Sequence, residues 1–202
     1  MAKLEDDDAL ERFVRLMNKG HGYGGTFNYE NARDKRYVEL DTANEWSRSM
    51  VAEFGVELGM AKPNLNDPPD CYFNLRGRQI GVELVQLVEQ KHKNRAQKSE
   101  TPHHGKLFMD MQWSKERFLA KVNQTIGQKG QKYELRSIEV DVLVIFVGEP
   151  FLNFVAAKEL LKDSMIGSHQ NIRNAYMLFD YEPGRGVDHW PMLPIYGDLR
   201  IY

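Results

Sequence analysis

Three observations predict an α/β fold with a central mixed sheet flanked by helices. Segments with apolar residues three and four apart alternate with short runs rich in β-branched and aromatic residues. The run from Ile138 to Val147 is apolar at most positions, which suits a strand covered on both faces. Between Cys71–Leu75 and Gln79–Val88 stands Arg76-Gly77-Arg78, a hairpin turn that sends the second strand back along the first.

The elements follow in order. Ala9 to Met17 reads as a short amphipathic helix through Leu10, Phe13, Val14 and Met17. The glycine-rich His21-Gly22-Tyr23-Gly24-Gly25 reads as a connection, because no strand precedes it and no Lys-Ser/Thr follows it. A second helix is expected from about Val38 to Leu58, with Leu40, Ala43, Trp46, Met50, Phe54 and Leu58 on one face and Gly59 and Pro63 closing it. Asn64 to Pro69 is a turn, followed by the hairpin. Gln90 to Lys106 is a polar, basic segment in which Thr101-Pro102-His103-His104-Gly105 marks a loop. Ser114 can cap a helix from Lys115 to about Ile126, ended by Gly127 to Gly130. The buried strand comes next, then a helix from Phe154 to Lys162, a strand from Ala175 to Tyr181, and a strand from Leu193 to Ile201 that Pro194 assigns to an edge. One domain is expected, with its core at about 38–147, the helix 9–17 before it and an α/β extension over 151–202.

At 202 residues with 42% hydrophobic content, the chain is long enough to bury a core without disulfides or a structural metal. Cys71 is the sole cysteine, which excludes an internal disulfide and a cysteine-based zinc site. No apolar stretch is long enough to span a bilayer, and the acidic start Met1-Ala2-Lys3-Leu4-Glu5-Asp6-Asp7-Asp8 does not resemble a signal peptide, so the cytoplasm is the expected location. The net charge of −2 hides a segregation: Lys91 to Arg136 holds eleven Lys and Arg against four acids, a local +7 that leaves −9 for the rest. Such a stretch suits phosphate contacts, and equally a solvated face.

The residues with most chemistry are Asp70, after Pro69, and Glu83, thirteen positions later inside the run Ile80-Gly81-Val82-Glu83-Leu84-Val85. A carboxylate buried in such a run costs several kcal/mol unless a cation or hydrogen-bond donors compensate it. A structural ion pair with Arg76 or Arg78 would do so, and so would a divalent ion shared with Asp70. The order helix, Pro-Asp, hairpin, acid in the second strand, helix, buried strand resembles the PD-(D/E)XK nuclease superfamily over roughly Glu39 to Val147. That resemblance implies a restriction-endonuclease-like core and a metal-dependent nuclease, in which Asp70 and Glu83 bind Mg2+ (or Mn2+) and a lysine positions or activates water. The lysine expected two residues after the second acid is absent, since Val85 stands there. Gln86 is one stand-in, and Lys91 or Lys121 on neighbouring elements are others. A competing register puts Glu89-Gln90-Lys91 at the motif with its acid-x-lysine intact, although Glu89 falls where the strand is ending. The family's helix-borne glutamate corresponds to Glu45, with Glu39 and Glu53 as alternatives.

The implied reaction is hydrolysis of phosphodiester bonds, with DNA the expected nucleic-acid partner, no membrane, and a homodimer favoured if both strands of a duplex are cut. The alternative is an inactive module on the same fold that binds nucleic acid or protein. His21, His92, His103, His104, His169 and His189 show no helical ligand pair, and no serine stands in a Gly-x-Ser-x-Gly elbow. Tyr72-Phe73 and His189-Trp190 read as core or loop anchors rather than stacking platforms.

Overall fold

The computed structural model describes residues 27, 29, 31–97, 112–149 and 151–199. The expected helix 9–17, the glycine-rich stretch, the side chain of His92 and the loop with His103-His104 lie outside the described residues. Among those described, a six-stranded mixed sheet is flanked by helices: α1 (Ala32–Phe54), β1 (Lys62–Pro63), β2 (Cys71–Leu75), β3 (Arg78–Leu87), α2 (Gln90–Gln97), α3 (Lys115–Glu134), β4 (Val140–Val147), α4 (Phe154–Leu161), β5 (Ile172–Leu178) and β6 (Met192–Tyr196). The strands lie in sequence order. Pairing is antiparallel for β1–β2, β2–β3 and β5–β6, and parallel for β3–β4 and β4–β5, so α3 and α4 lie within the two parallel crossovers. No described helix is long and apolar enough to cross a membrane.

Alternation along the central strands divides the core into two layers. Val82, Leu84, Val142, Val144 and Phe146 belong to the cluster with Val38, Ala43, Trp46 and Met50 of α1. Leu87, Leu143, Ile145 and Val147 belong to the cluster with Phe118, Val122, Ile126 and Tyr133 of α3. Glu83, two residues from Val85 and four from Leu87, shares the α3 side of its strand.

Several boundaries differ from the sequence reading, each for a local reason. Helix α1 begins at Ala32 because the Asn31 side chain accepts a hydrogen bond from Asp34 N at 2.9 Å, and it stops at Phe54 because Gly55 takes a left-handed φ of 66°. Leu58 therefore lies past the helix, still fully buried. The hairpin turn is tighter than a three-residue loop: Arg76 and Gly77 alone connect the strands, with φ of 52° and 85°, the positive pair of a type I′ turn. Helix α2 stands within the polar, basic segment to which the sequence assigned no regular element, since Gln90–Gln97 gives no apolar periodicity. Strand β5 starts and ends three residues earlier than expected, in register with β4 from Ile172 opposite Val140. Strand β6 is at the sheet edge, as Pro194 requires.

The largest correction concerns α3, which does not end at Gly127–Gly130 but runs through both glycines to Glu134. Ser114 caps it as expected. The apolar row Phe118, Val122, Ile126 continues through Gly130 to Tyr133, all buried. Gly130 is where His169 packs, because a Cβ there would lie 2.1 Å from His169 Cγ, whereas a Cβ on Gly127 would meet nothing within 4 Å.

The two glycines should therefore respond oppositely to alanine. Gly127→Ala is expected to stabilise the protein by up to about 1 kcal/mol through helix propensity. Gly130→Ala is expected to destabilise it by about 1–3 kcal/mol through overpacking. Urea midpoints measure both, and a shift of the same sign in the two variants would contradict this packing.

Candidate metal centre and its lysine wall

Asp70 is delivered to the sheet by a turn that closes on itself. Asn64 N donates to Asp70 O at 3.0 Å, and Asn64 Nδ2 donates to Pro69 O at 2.7 Å. The antiparallel register pairs Cys71 with Val82, so the next pair outward sets Asp70 across from Glu83. The Asp70 carboxylate accepts a hydrogen bond from Leu84 N at 2.8 Å, taking the place of a strand carbonyl at the end of the ladder.

Asp67, from the same turn, joins them: one carboxylate oxygen each from Asp67, Asp70 and Glu83 lies within 4.8 Å of the others. Glu83 is only 2% exposed, and its Oε2 is buried without a hydrogen-bond partner. Its Oε1 accepts from Lys129 Nζ at 2.6 Å. Tyr133, one turn further along α3, sets its hydroxyl beside the same carboxylate without a well-formed hydrogen bond, and burial followed by the Glu83 charge raises its pKa. Lys35 reaches Glu39 at 3.3 Å and Asp67 at 3.7 Å. Burial raises the Glu39 pKa, against the pull of Lys35. Burial first, then the Glu83 charge, pushes the Asp70 carboxyl up to about 7, while the Leu84 N–H, and more weakly Lys129, draw it down.

The three carboxylates, Lys129, Lys35 and Glu39 line a cleft of about 250 Å³ together with Phe27, Tyr29, Gln86, Lys93 and Lys132. An all-carboxylate donor set, with one oxygen buried and unpartnered, fits a hard divalent cation such as Mg2+ or Mn2+.

The structure brings Asp70 and Glu83 together and places the remaining sequence candidates as follows. Gln86 lines the cleft, but its Oε1 accepts from Lys93 Nζ at 3.0 Å. Lys91 is exposed on α2. Lys121 approaches Glu89 at 3.9 Å, and Glu89 also faces Arg117 at 3.8 Å, so the Glu89-Gln90-Lys91 register points away from the cleft lining. Lys129 is the lysine that meets Glu83. On α1, Glu45 pairs with Arg48 and Glu53 with His189, whereas Glu39 lines the cleft. Arg78 pairs with Asp141 at 3.1 Å, so it is not the partner of Glu83. Cys71 is buried next to Asp70, and burial raises the pKa of its thiol, which leaves it inert. Asp67 and Lys129 were not singled out from the sequence. Asp67 sits three residues before Asp70 in a turn, and Lys129 was hidden by reading Gly127 and Gly130 as a helix stop.

Comparison with protein families, curated proteins and solved structures finds no match for this chain.

The raised Asp70 pKa has a consequence for stability. An acid whose folded pKa exceeds its ordinary value of 3.8 binds more protons when folded, so its contribution falls as pH rises from about 4 to about 7. In EDTA the melting temperature should fall over that window more steeply for the parent than for Asp70→Asn. At pH 7.5, Mn2+ or Mg2+ should raise the melting temperature of the parent and leave Asp70→Asn unmoved. Parallel pH curves for the two proteins would contradict the burial of charge at Asp70.

Proposed function

We propose that the chain is a metal-dependent phosphodiesterase acting on nucleic acid, with DNA the first substrate to test. The observation that carries this reading is the buried Glu83 carboxylate, which converges with Asp70 and Asp67, accepts from Lys129 at 2.6 Å through Oε1 and keeps Oε2 unpartnered. A purely structural ion pair would satisfy Glu83 with one cation and would not need two further carboxylates within 4.8 Å. The likeness to the PD-(D/E)XK superfamily supports the same reading, with Lys129 on α3 in the role of the lysine that Val85 replaces.

Asp70, Glu83 and Asp67 would hold Mg2+ or Mn2+. A bound cation of this kind supplies Lewis-acid polarisation of the phosphate and lowers the pKa of water. The protein's own groups do the rest. Leu84 N fixes the Asp70 carboxylate in place before any ligand arrives. Lys129 holds Glu83 with one N–H, and its remaining donors can orient water toward the phosphorus and neutralise charge growing on phosphate oxygen. Burial around Glu83 lowers the local dielectric and strengthens each of these interactions.

Plasmid, linear duplex and single-stranded DNA should be cut with Mg2+ or Mn2+ and not with EDTA. Asp70→Asn and Glu83→Gln are expected to lose about a hundredfold or more of the rate, and Lys129→Met to lose a similar factor while retaining Mn2+ binding. Glu45→Ala and Glu89→Ala should remain active. Cleavage that persists in both Asp70→Asn and Glu83→Gln, or a parent that cuts neither DNA nor RNA with either metal, would overturn the proposal.

A further inference from the structure

Four lysines line the cleft, and they are not equivalent. Lys129 is taken by Glu83, and Lys35 by Glu39 and Asp67. Lys93 and Lys132 form no ion pair with any described residue. Lys132 is exposed on the last turn of α3, where water screens it. Lys93 is half-buried, and its hydrogen bond is to a neutral acceptor, Gln86 Oε1. Burial lowers its pKa, and no carboxylate opposes that effect.

The position of this cation is built rather than incidental. Gln86 lies against Gly148 so closely that a Cβ there would stand 2.3 Å from Gln86 Nε2. The bare backbone of Gly148 thus lets the carboxamide lie flat, and the carboxamide in turn holds Lys93 over the cleft. Desolvating an ammonium opposite a neutral amide costs free energy that an incoming anion returns.

We infer that Lys93, held by Gln86 and supported by Lys132, is a phosphate-binding wall that takes a backbone phosphate of the nucleic acid beside the carboxylate cluster. The inference rests on the proposed function for the identity of the anion. The cleft lining holds Asp67, Asp70, Glu83 and Glu39, which suit cations, and also Lys93 and Lys132, which suit a polyanion. Lys93 would therefore set affinity and register of the strand, and the carboxylates would set chemistry.

The test is binding of a fluorescein-labelled 12-mer, single-stranded and duplex, in EDTA over a range of NaCl concentrations, so that no hydrolysis is needed. Lys93→Gln is expected to raise Kd by about three- to tenfold and to reduce the slope of log K against log salt by about 1. Lys93→Arg should restore the slope. Gly148→Ala should weaken binding by displacing Gln86 without any change of charge. Lys91→Gln, an exposed neighbour on the same helix, should change Kd by less than about twofold.

Equal losses in Lys91→Gln and Lys93→Gln would overturn the inference in favour of a diffuse field. An unchanged slope in Lys93→Gln, or a parent that binds neither oligonucleotide at low salt, would overturn it outright. The two proposals fail separately: cleavage lost in Asp70→Asn with Lys93→Gln unaffected removes the phosphate wall alone, whereas Lys93-dependent binding by a parent that never cuts removes the hydrolase alone.

Discussion

A carboxylate in the middle of a buried strand is the constraint on which the rest of this structure depends. Glu83 has apolar neighbours on its own strand and a parallel apolar strand beside it, with Leu143 as its register partner. An ion in that position needs a cation or hydrogen-bond donors close by, and here Lys129 Nζ supplies both. The requirement fixes the length of α3, which must run far enough to bring Lys129 over the strand. Of the two glycines inside that helix, Gly130 admits the His169 ring. The reach of α3 past its two glycines is thus tied to a single side chain.

The sheet supplies the geometry in the other direction. Alternation sends Val82 and Leu84 to α1 and Glu83 to α3, while the hairpin ladder brings Asp70 to the same end. The Leu84 N–H, unclaimed at the end of the β2–β3 ladder, is taken by Asp70. Lys35 and Glu39 then approach from α1, four residues apart on one helical face. The cleft is therefore a meeting of the hairpin with both helical layers, and no single element carries it.

Much of this was legible in the sequence, and the unread parts have physical causes. The hairpin, the buried central strand and the edge strand announce themselves through Gly77, the run ending at Val147, and Pro194. Asp70 and Glu83 stand out because one follows a proline at a strand entry and the other interrupts an apolar run. Helix α2 did not, because a helix that is polar on all sides has no periodic signature. Lys129 was concealed by a rule that holds on average: glycine ends helices, except where burial of residues such as Tyr133 outweighs about 1 kcal/mol of propensity per glycine. The choice among Glu39, Glu45 and Glu53 needed the placement of α1 against the hairpin, which sets Glu39 in the cleft and pairs the other two elsewhere.

The two-residue turn between β2 and β3 has an evolutionary corollary. Because Asp70 and Glu83 face each other across an antiparallel ladder, lengthening the hairpin by one residue pair widens their interval by two, and shortening it narrows the interval by two. A one-residue shift of register within the paired strands would send the second acid into the α1 layer, away from the helix that carries Lys129. Descendants of this chain are therefore free to drift in hairpin length but not in the register that sets the two acids opposite each other. Single-residue insertions within the paired strands should be purged, while paired insertions or changes looped out at Arg76 and Gly77 survive.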